Sequence, residues 1–213
     1  MSALPVQAMA RLLGVPAVDL DDTVSAVLAF VKGIAAGADS DTLAASDAAV
    51  VLLMGQGEAS GLDSVRAANR IALMQQALDA TAGLIGNAVL RLRTHPAADD
   101  LEGVFAEVTL RDPPVQNTRR FAAGPLVLGG MEIAAGDGLL LLVAAANHDP
   151  ALVQRRGFTF GAGAHACPGE QIAMGIAVAG LQALQEREPL ARTFGAHTGY
   201  RPLPNARIPV FSH

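Results

Sequence analysis

Phe160-Gly-Ala-Gly-Ala-His-Ala-Cys-Pro-Gly169 is the stretch on which the reading turns. Its glycines at 161, 163 and 169 allow a tight loop with backbone N–H groups turned inward. Pro168 sits where the first turn of a following helix belongs, which predicts Cys167 at about that helix's N-cap. A helix N-terminus and inward amides both favour the charged form of a thiol. A thiolate pinned in this way suits a soft metal ligand or a reactive nucleophile. Two other readings of Cys167 stay open, a buried small hydrophobe and the nucleophile of a Cys–His hydrolase. The second sits awkwardly with His165, only two residues away, because a catalytic base ordinarily comes from elsewhere in the fold. A phosphate loop fails, since no Gly-Lys-Ser/Thr follows the glycines.

Composition narrows what such a loop can serve. The chain has 213 residues, which predicts one compact domain or two at most. Cys167 is the only cysteine, so an intrachain disulfide and a zinc site of several thiolates are both excluded. Net charge is −5, and Lys32 is the single lysine. That balance argues against a nucleic-acid partner and against an anionic membrane surface. Hydrophobic residues make up 51% of the chain, and mean hydropathy is +0.36. The longest apolar run, 139–146, falls far short of the ~20 residues of a membrane span. The first residues carry no positive charge before Arg11, unlike a secretory signal. A soluble cytoplasmic protein is expected. Its apolar surplus calls for self-association or a large apolar ligand.

Outward from the loop, helical periodicity dominates. Apolar spacing predicts a helix over 3–14, ended by Gly14 and Pro16. A second helix, capped by Asp21 or Asp22, runs towards Gly33. A third, capped by Ser40 or Asp41, reaches about Met54, with a loop from Gly55 to Gly61. The longest periodic segment spans about 64–93, enough at 1.5 Å per residue to cross a domain. Its middle, around Ala77 to Gly86, is small and polar, so another body lies close to it there. A helix–helix crossing through a small-residue notch explains this as well as a ligand does. Pro113-Pro114 breaks the chain, and a β region follows over about 123–146. It comprises a hairpin turning at Gly129-Gly130 and an apolar segment from Gly138 to Ala146. The Cys loop and its helix occupy 160–188, and an extended tail follows from Gly199. The expected class is mainly α with a small β region, as a single domain over residues 1–213.

Phe160-x-x-Gly163-x-x-x-Cys167-x-Gly169 resembles the haem-binding signature of the cytochrome P-450 family, in which the cysteine thiolate binds haem iron. Other segments resemble that family in the same order: Asp79-Ala-Thr-Ala-Gly-Leu-Ile-Gly86 its long helix over the haem, Asp112-Pro-Pro-Val-Gln-Asn-Thr-Arg-Arg-Phe-Ala122 and Ala146-Asn-His-Asp-Pro150 the flanks of its small sheet, and Gly199 to Pro209 its C-terminal strand. The resemblance implies haem b, with Cys167 as the metal ligand. It places Phe160, Gly161, Gly163, His165, Gly169 and Arg120 around that cofactor, His165 and Arg120 on its propionates. Asp79 and Thr81 become the catalytic residues of the distal side.

Departures from the pattern matter equally. Family members are about twice this length, so the resemblance implies a compact, trimmed fold lacking the N-terminal third. The segment between Asp149 and Phe160 is short, and the family's meander with its own Phe and Arg is expected to be absent. Glu107-Val-Thr-Leu-Arg111 has one residue too many for the family's Glu-x-x-Arg pair. Ala80 replaces the threonine that follows the acid on the long helix. The function implied is a haem-thiolate oxidoreductase on a small organic substrate, by monooxygenation, peroxide-driven oxidation or redox-neutral rearrangement. The alternative is a non-catalytic helper or scaffold that binds an enzyme partner. A homodimer and a redox or enzyme partner protein are the expected associations.

Overall fold

The computed structural model describes residues 3–95, 100–152, 156–187 and 194–212. The long periodic segment is a helix, α4, over Ser64–Thr94. At 1.5 Å per residue its 31 residues extend for about 46 Å. Contacts group the chain into two units, Met1–Ala82 with Ile172–Gly180 and Gly83–Gln171 with Leu181–His213.

The first unit is helical. α1 covers Ala3–Leu12. It stops as Gly14 takes a φ of 78°, a conformation that side chains with a Cβ resist. Val15 N–H then reaches back to the Ala10 carbonyl at 2.9 Å, closing the helix end. α2 spans Leu20–Gly33 and is entered through a 3-10 turn at Ala17–Asp19. Asp21 and Asp22 are therefore not caps; they lie inside the first turn, where negative charge faces the helix's positive end.

α3, Ser40–Ala59, corrects the sequence reading at both ends. Its cap is Asp39, whose carboxylate accepts from Thr42 N–H at 2.7 Å. Hydrogen bonding from the Thr42 side chain, and after it from this N–H, holds the Asp39 carboxyl below the usual carboxylate range. At the other end the helix continues through Gly55 and Gly57, where a loop was expected. A Cβ on Gly57 would stand 2.6 Å from Ala67 Cβ. The glycine lets α3 lie close against α4, and the packing gained outweighs the ~1 kcal/mol that a helical glycine costs. Val6, Val27, Leu53 and Met74 are fully buried in the core of this unit, and Ile176 joins them. Each such burial is worth about 1.5–3 kcal/mol. Arg70 lies in the same unit, 4% exposed. Its Nε and Nη2 are buried without a partner, and desolvation lowers its pKa.

The second unit carries the β structure. α5, Leu101–Arg111, is capped by Asp100, which accepts from Glu102 and Gly103 N–H at 3.0 and 3.1 Å. β1, Thr118–Phe121, lies N-terminal to the expected β region. β2, Leu126–Leu128, and β3, Met131–Ile133, form the hairpin. Its turn residues Gly129 and Gly130 have φ of 58° and 81°, as a two-residue turn of this hand demands. β4, Gly138–Leu141, pairs antiparallel with β1, Phe121 opposite Gly138.

The apolar segment expected to run extended to Ala146 does not. It turns into a short helix, α6, over Val143–Asn147. The β1–β4 register ends at Leu141 opposite Thr118; Ala144 N–H still donates to the Gln116 carbonyl at 3.1 Å, but the alanine run has high helix propensity. Asn147 anchors this change. Its Nδ2 donates to the Thr109 carbonyl and Thr159 Oγ1, and its Oδ1 accepts from Phe158 N–H at 2.7 Å. α7 follows the Cys loop over Glu170–Arg187. Residue 188, its expected end, lies outside the described residues. β5, His197–Tyr200, and β6, Pro209–Phe211, pair antiparallel in the tail. At Gly83 the expected notch on α4 is filled by the chain itself. A Cβ there would stand 2.7 Å from Pro114 Cβ and 3.3 Å from the Arg207 carbonyl oxygen.

Candidate functional site

The Cys loop is built from local hydrogen bonds. Gly161 N–H donates to the Phe158 carbonyl at 2.8 Å, and Cys167 N–H closes the loop on the Phe160 carbonyl at 2.7 Å. Between them Gly163–His165 makes one 3-10 turn. Gly161 has a φ of 68°, and a Cβ there would collide with the His165 carbonyl. Gly163 also has positive φ, 56°, but faces open space. Thus one glycine is required by crowding and conformation, the other by conformation alone.

Cys167 is exposed at the end of this loop. It is not the N-cap of α7: Pro168 and Gly169 form a turn, and the helix begins at Glu170. Gly169 is the near neighbour of the sulfur, a Cβ there falling 3.9 Å from Cys167 Sγ. His165 is exposed, and Phe160 is half-buried. The loop thus brings Phe160, Gly161, Gly163, His165, Cys167 and Gly169 into one small body. Arg120 stands apart from it in sequence, on β1, with Nη1 donating to Thr118 Oγ1 at 2.8 Å and to the Arg119 carbonyl at 2.7 Å.

Arg156 is the residue that the sequence reading missed. Between Asp149 and Phe160 the sequence reading expected only that the family's meander, with its own Phe and Arg, is absent, and gave Arg156 no role. Arg156 Nε donates to Glu170 Oε1 at 3.1 Å, and Nη2 pairs with Glu170 Oε2. Nη1 reaches the Gly161 carbonyl at 3.4 Å. One guanidinium so ties the loop's first turn to the first residue of α7. The hydrogen bond with Glu170, and after it the Glu170 charge, raises the Arg156 pKa. The legible signal was Arg155-Arg156-Gly157, a basic pair just before a glycine.

Asp79 and Thr81 lie in the first unit, on α4. Thr81 is 2% exposed, whereas Asp79 is half-buried. Two residues along an α-helix turn by about 200°, so the pair meets different surroundings. Glu107 and Arg111, the disturbed acid–base pair of α5, do not join each other. Glu107 Oε2 accepts from Arg91 Nε at 2.9 Å and pairs with Arg91 Nη2 at 2.7 Å. Among the described residues, no cluster of three or more His, Cys, Asp or Glu could hold a metal ion. No described helix is long and apolar enough to cross a membrane.

No protein-family profile matches the chain. Among curated proteins it is similar to Cytochrome P-450 144 of Mycobacterium tuberculosis, 31% identical over 214 residues, covering 80% of this chain and 49% of that protein. It is also similar to the Biotin biosynthesis cytochrome P-450 of Bacillus subtilis, 31% identical over 144 residues, with 59% and 36% covered. The chain spans about half the length, or less, of these relatives. Among solved structures, CalO2 superposes with a TM-score of 0.79 at 22% identity, covering 99% of this chain and 64% of that one. The P-450 BioI complex with an acyl-carrier protein bearing hexadec-9Z-enoic acid gives 0.75 at 23%, with 99% and 67% covered.

Proposed function

This chain belongs to the cytochrome P-450 family, and from that premise we propose that it is a haem-thiolate oxidoreductase acting on a small organic molecule. The observation that carries the reading is the Cys167 loop. Its single thiol is exposed, and the surrounding chain is shaped by Gly161, where any Cβ would be strained by positive φ and by the His165 carbonyl. One thiolate is too few to hold a bare metal ion, but it suits a metal whose remaining ligands come from a macrocycle. The residues present therefore fit haem b with Cys167 as its protein ligand. When bound, that group supplies the redox chemistry, thiolate donation favouring O–O cleavage.

The chain's own residues then position and tune. Arg156 and Glu170 hold the loop through the Nε–Oε1 bond at 3.1 Å and the reach of Nη1 to the Gly161 carbonyl. Phe160 covers one side of the sulfur, and His165 and Arg120 serve as partners for the cofactor's carboxylates. On α4, Asp79 is the proton-handling residue, with Thr81 as the second candidate. Ala80 puts no hydroxyl next to the acid, which weakens proton delivery to bound dioxygen. That favours peroxide-driven oxidation or a redox-neutral rearrangement over ordinary monooxygenation. Ala80 also supports the second reading, a non-catalytic helper that binds an enzyme partner.

We further infer one haem domain over residues 1–213, a cytoplasmic location and a homodimer. Exposed Phe121, Val127 and Met131, at 73%, 68% and 69%, support self-association. A redox or enzyme partner completes the reading. The deciding experiment is the absorption spectrum of the purified protein, oxidised and then reduced under carbon monoxide, beside Cys167→Ala. A red-shifted thiolate–CO band that the variant loses supports the oxidoreductase. A spectrum unchanged in Cys167→Ala refutes the ligand assignment. No haem band after haem is supplied leaves the helper reading.

A further inference from the structure

The second unit contains a cleft that the Cys loop does not share. Its volume is about 230 Å³, and α4, α5 and β5 line it through Asn87, Arg91, Glu107, Arg111, Asp112 and Tyr200. Most charges around it are already matched. Arg91 holds Glu107, with Nη2 at 2.7 Å from Oε2. Asp112 is paired with Arg207 at 3.1 Å, and Arg207 also stacks over the Tyr200 ring at 4.3 Å. One cation is left over: Arg111 is exposed and makes no ion pair among the described residues.

Two hydrogen-bonding atoms are left over as well. Asn87 is 1% exposed. Its Nδ2 donates to the Asp112 carbonyl at 2.8 Å, while its Oδ1, an acceptor, is buried without a partner. Arg91 Nη1, a donor, is likewise buried and unpartnered. Asn87 and Arg91 are four residues apart on α4, on one face. Leu90, Val108 and the Tyr200 ring add apolar wall. Buried polar groups in folded proteins find partners, and these two find none among the described residues.

We propose that this cleft binds a small organic acid with a hydrogen-bond donor beside its carboxylate and an apolar tail, such as a 2-hydroxy acid. The carboxylate goes to Arg111 and Arg91 Nη1, and the hydroxyl donates to Asn87 Oδ1. The tail lies against Leu90, Val108 and Tyr200. This site is independent of the haem reading, for none of its residues belongs to the Cys loop.

The test uses 3-phenyllactate as probe, titrated calorimetrically into the purified full chain. Tyr200 is the only tyrosine and the chain has no tryptophan, so an isotope-labelled tyrosine ring reports on this cleft alone. Saturable binding with a shift of the Tyr200 resonance is expected. Arg111→Gln, an exposed change, should weaken binding at least tenfold, the loss of one charge-assisted hydrogen bond. 3-Phenylpropionate, lacking the hydroxyl, should bind several-fold more weakly. A Tyr200 resonance that does not move, an unchanged affinity in Arg111→Gln, or equal binding of 3-phenylpropionate and 3-phenyllactate would each overturn the proposal.

Discussion

Gly161→Ala and Gly163→Ala are the same substitution two residues apart, both in the Cys loop and both at positive φ. The structure expects them to behave very differently. An L-residue in the left-handed region costs about 1–2 kcal/mol, and both variants bear that cost. At Gly163 nothing else stands within 4 Å, so the cost ends there and the loop keeps its shape. At Gly161 the new methyl meets the His165 carbonyl oxygen and lies 3.1 Å from its carbon. That carbonyl is backbone and cannot rotate away. Relief requires the turn to open, losing the bonds from Ala166 N–H to the Gly163 carbonyl and from Cys167 N–H to the Phe160 carbonyl. At about 0.5–1.5 kcal/mol each, these bring the Gly161→Ala total to about 2–5 kcal/mol.

Two assays read the difference. Urea unfolding followed by circular dichroism gives stability, and the thiolate–CO band per mole of chain gives the fraction of correctly held Cys167. Gly163→Ala is expected to retain most of the band with a loss of about 1–2 kcal/mol. Gly161→Ala is expected to lose most of it. Equal damage from both variants, or an intact band in Gly161→Ala, would refute the argument that crowding at the His165 carbonyl shapes the loop.

Arg70→Met should leave the protein as stable as before or more so, because it removes a buried cation with two unpartnered nitrogens and keeps its bulk; a clear drop in the urea midpoint would mean that the guanidinium has a partner essential to the fold. Asp39 has a carboxyl held below its usual pKa by Thr42, so its stabilisation is complete above the unfolded value of about 3.9 and fades as pH falls through the lower folded value. Protection of the Thr42 amide relative to its intrinsic exchange rate should therefore be lost only in acid, and Asp39→Ala should show no protection at any pH; protection of Thr42 in that variant would count against the cap.

The candidate site was legible where its chemistry is local. A loop of ten residues closes on itself, so its glycines, its cysteine and the helix after it appear in sequence order. Arg156 was harder to find because its partner Glu170 is fourteen residues away, across the loop, and a basic pair before a glycine fits many surface turns equally well. The cleft beside Tyr200 was not legible at all. It collects residues of α4, α5 and β5, from Asn87 to Tyr200, and nothing local distinguishes Asn87 from other helical asparagines.

The errors have a common cause. Gly55 and Gly57 read as a loop because glycine lowers helix propensity, yet α3 runs through them, since Gly57 admits Ala67 of α4. Ala144–Ala146 read as strand because the run is apolar, yet it coils into α6 once β4 has no further partner on β1. Periodicity, caps and turn residues are properties of neighbouring positions, so the sequence alone determined the helical class, the glycine hairpin and the Cys loop. Which glycine is a break and which is a close approach, where a strand ends and which polar atoms are left unmatched were decided only by tertiary contact. Those outcomes depend on free energies of packing and pairing that residues distant in the chain supply.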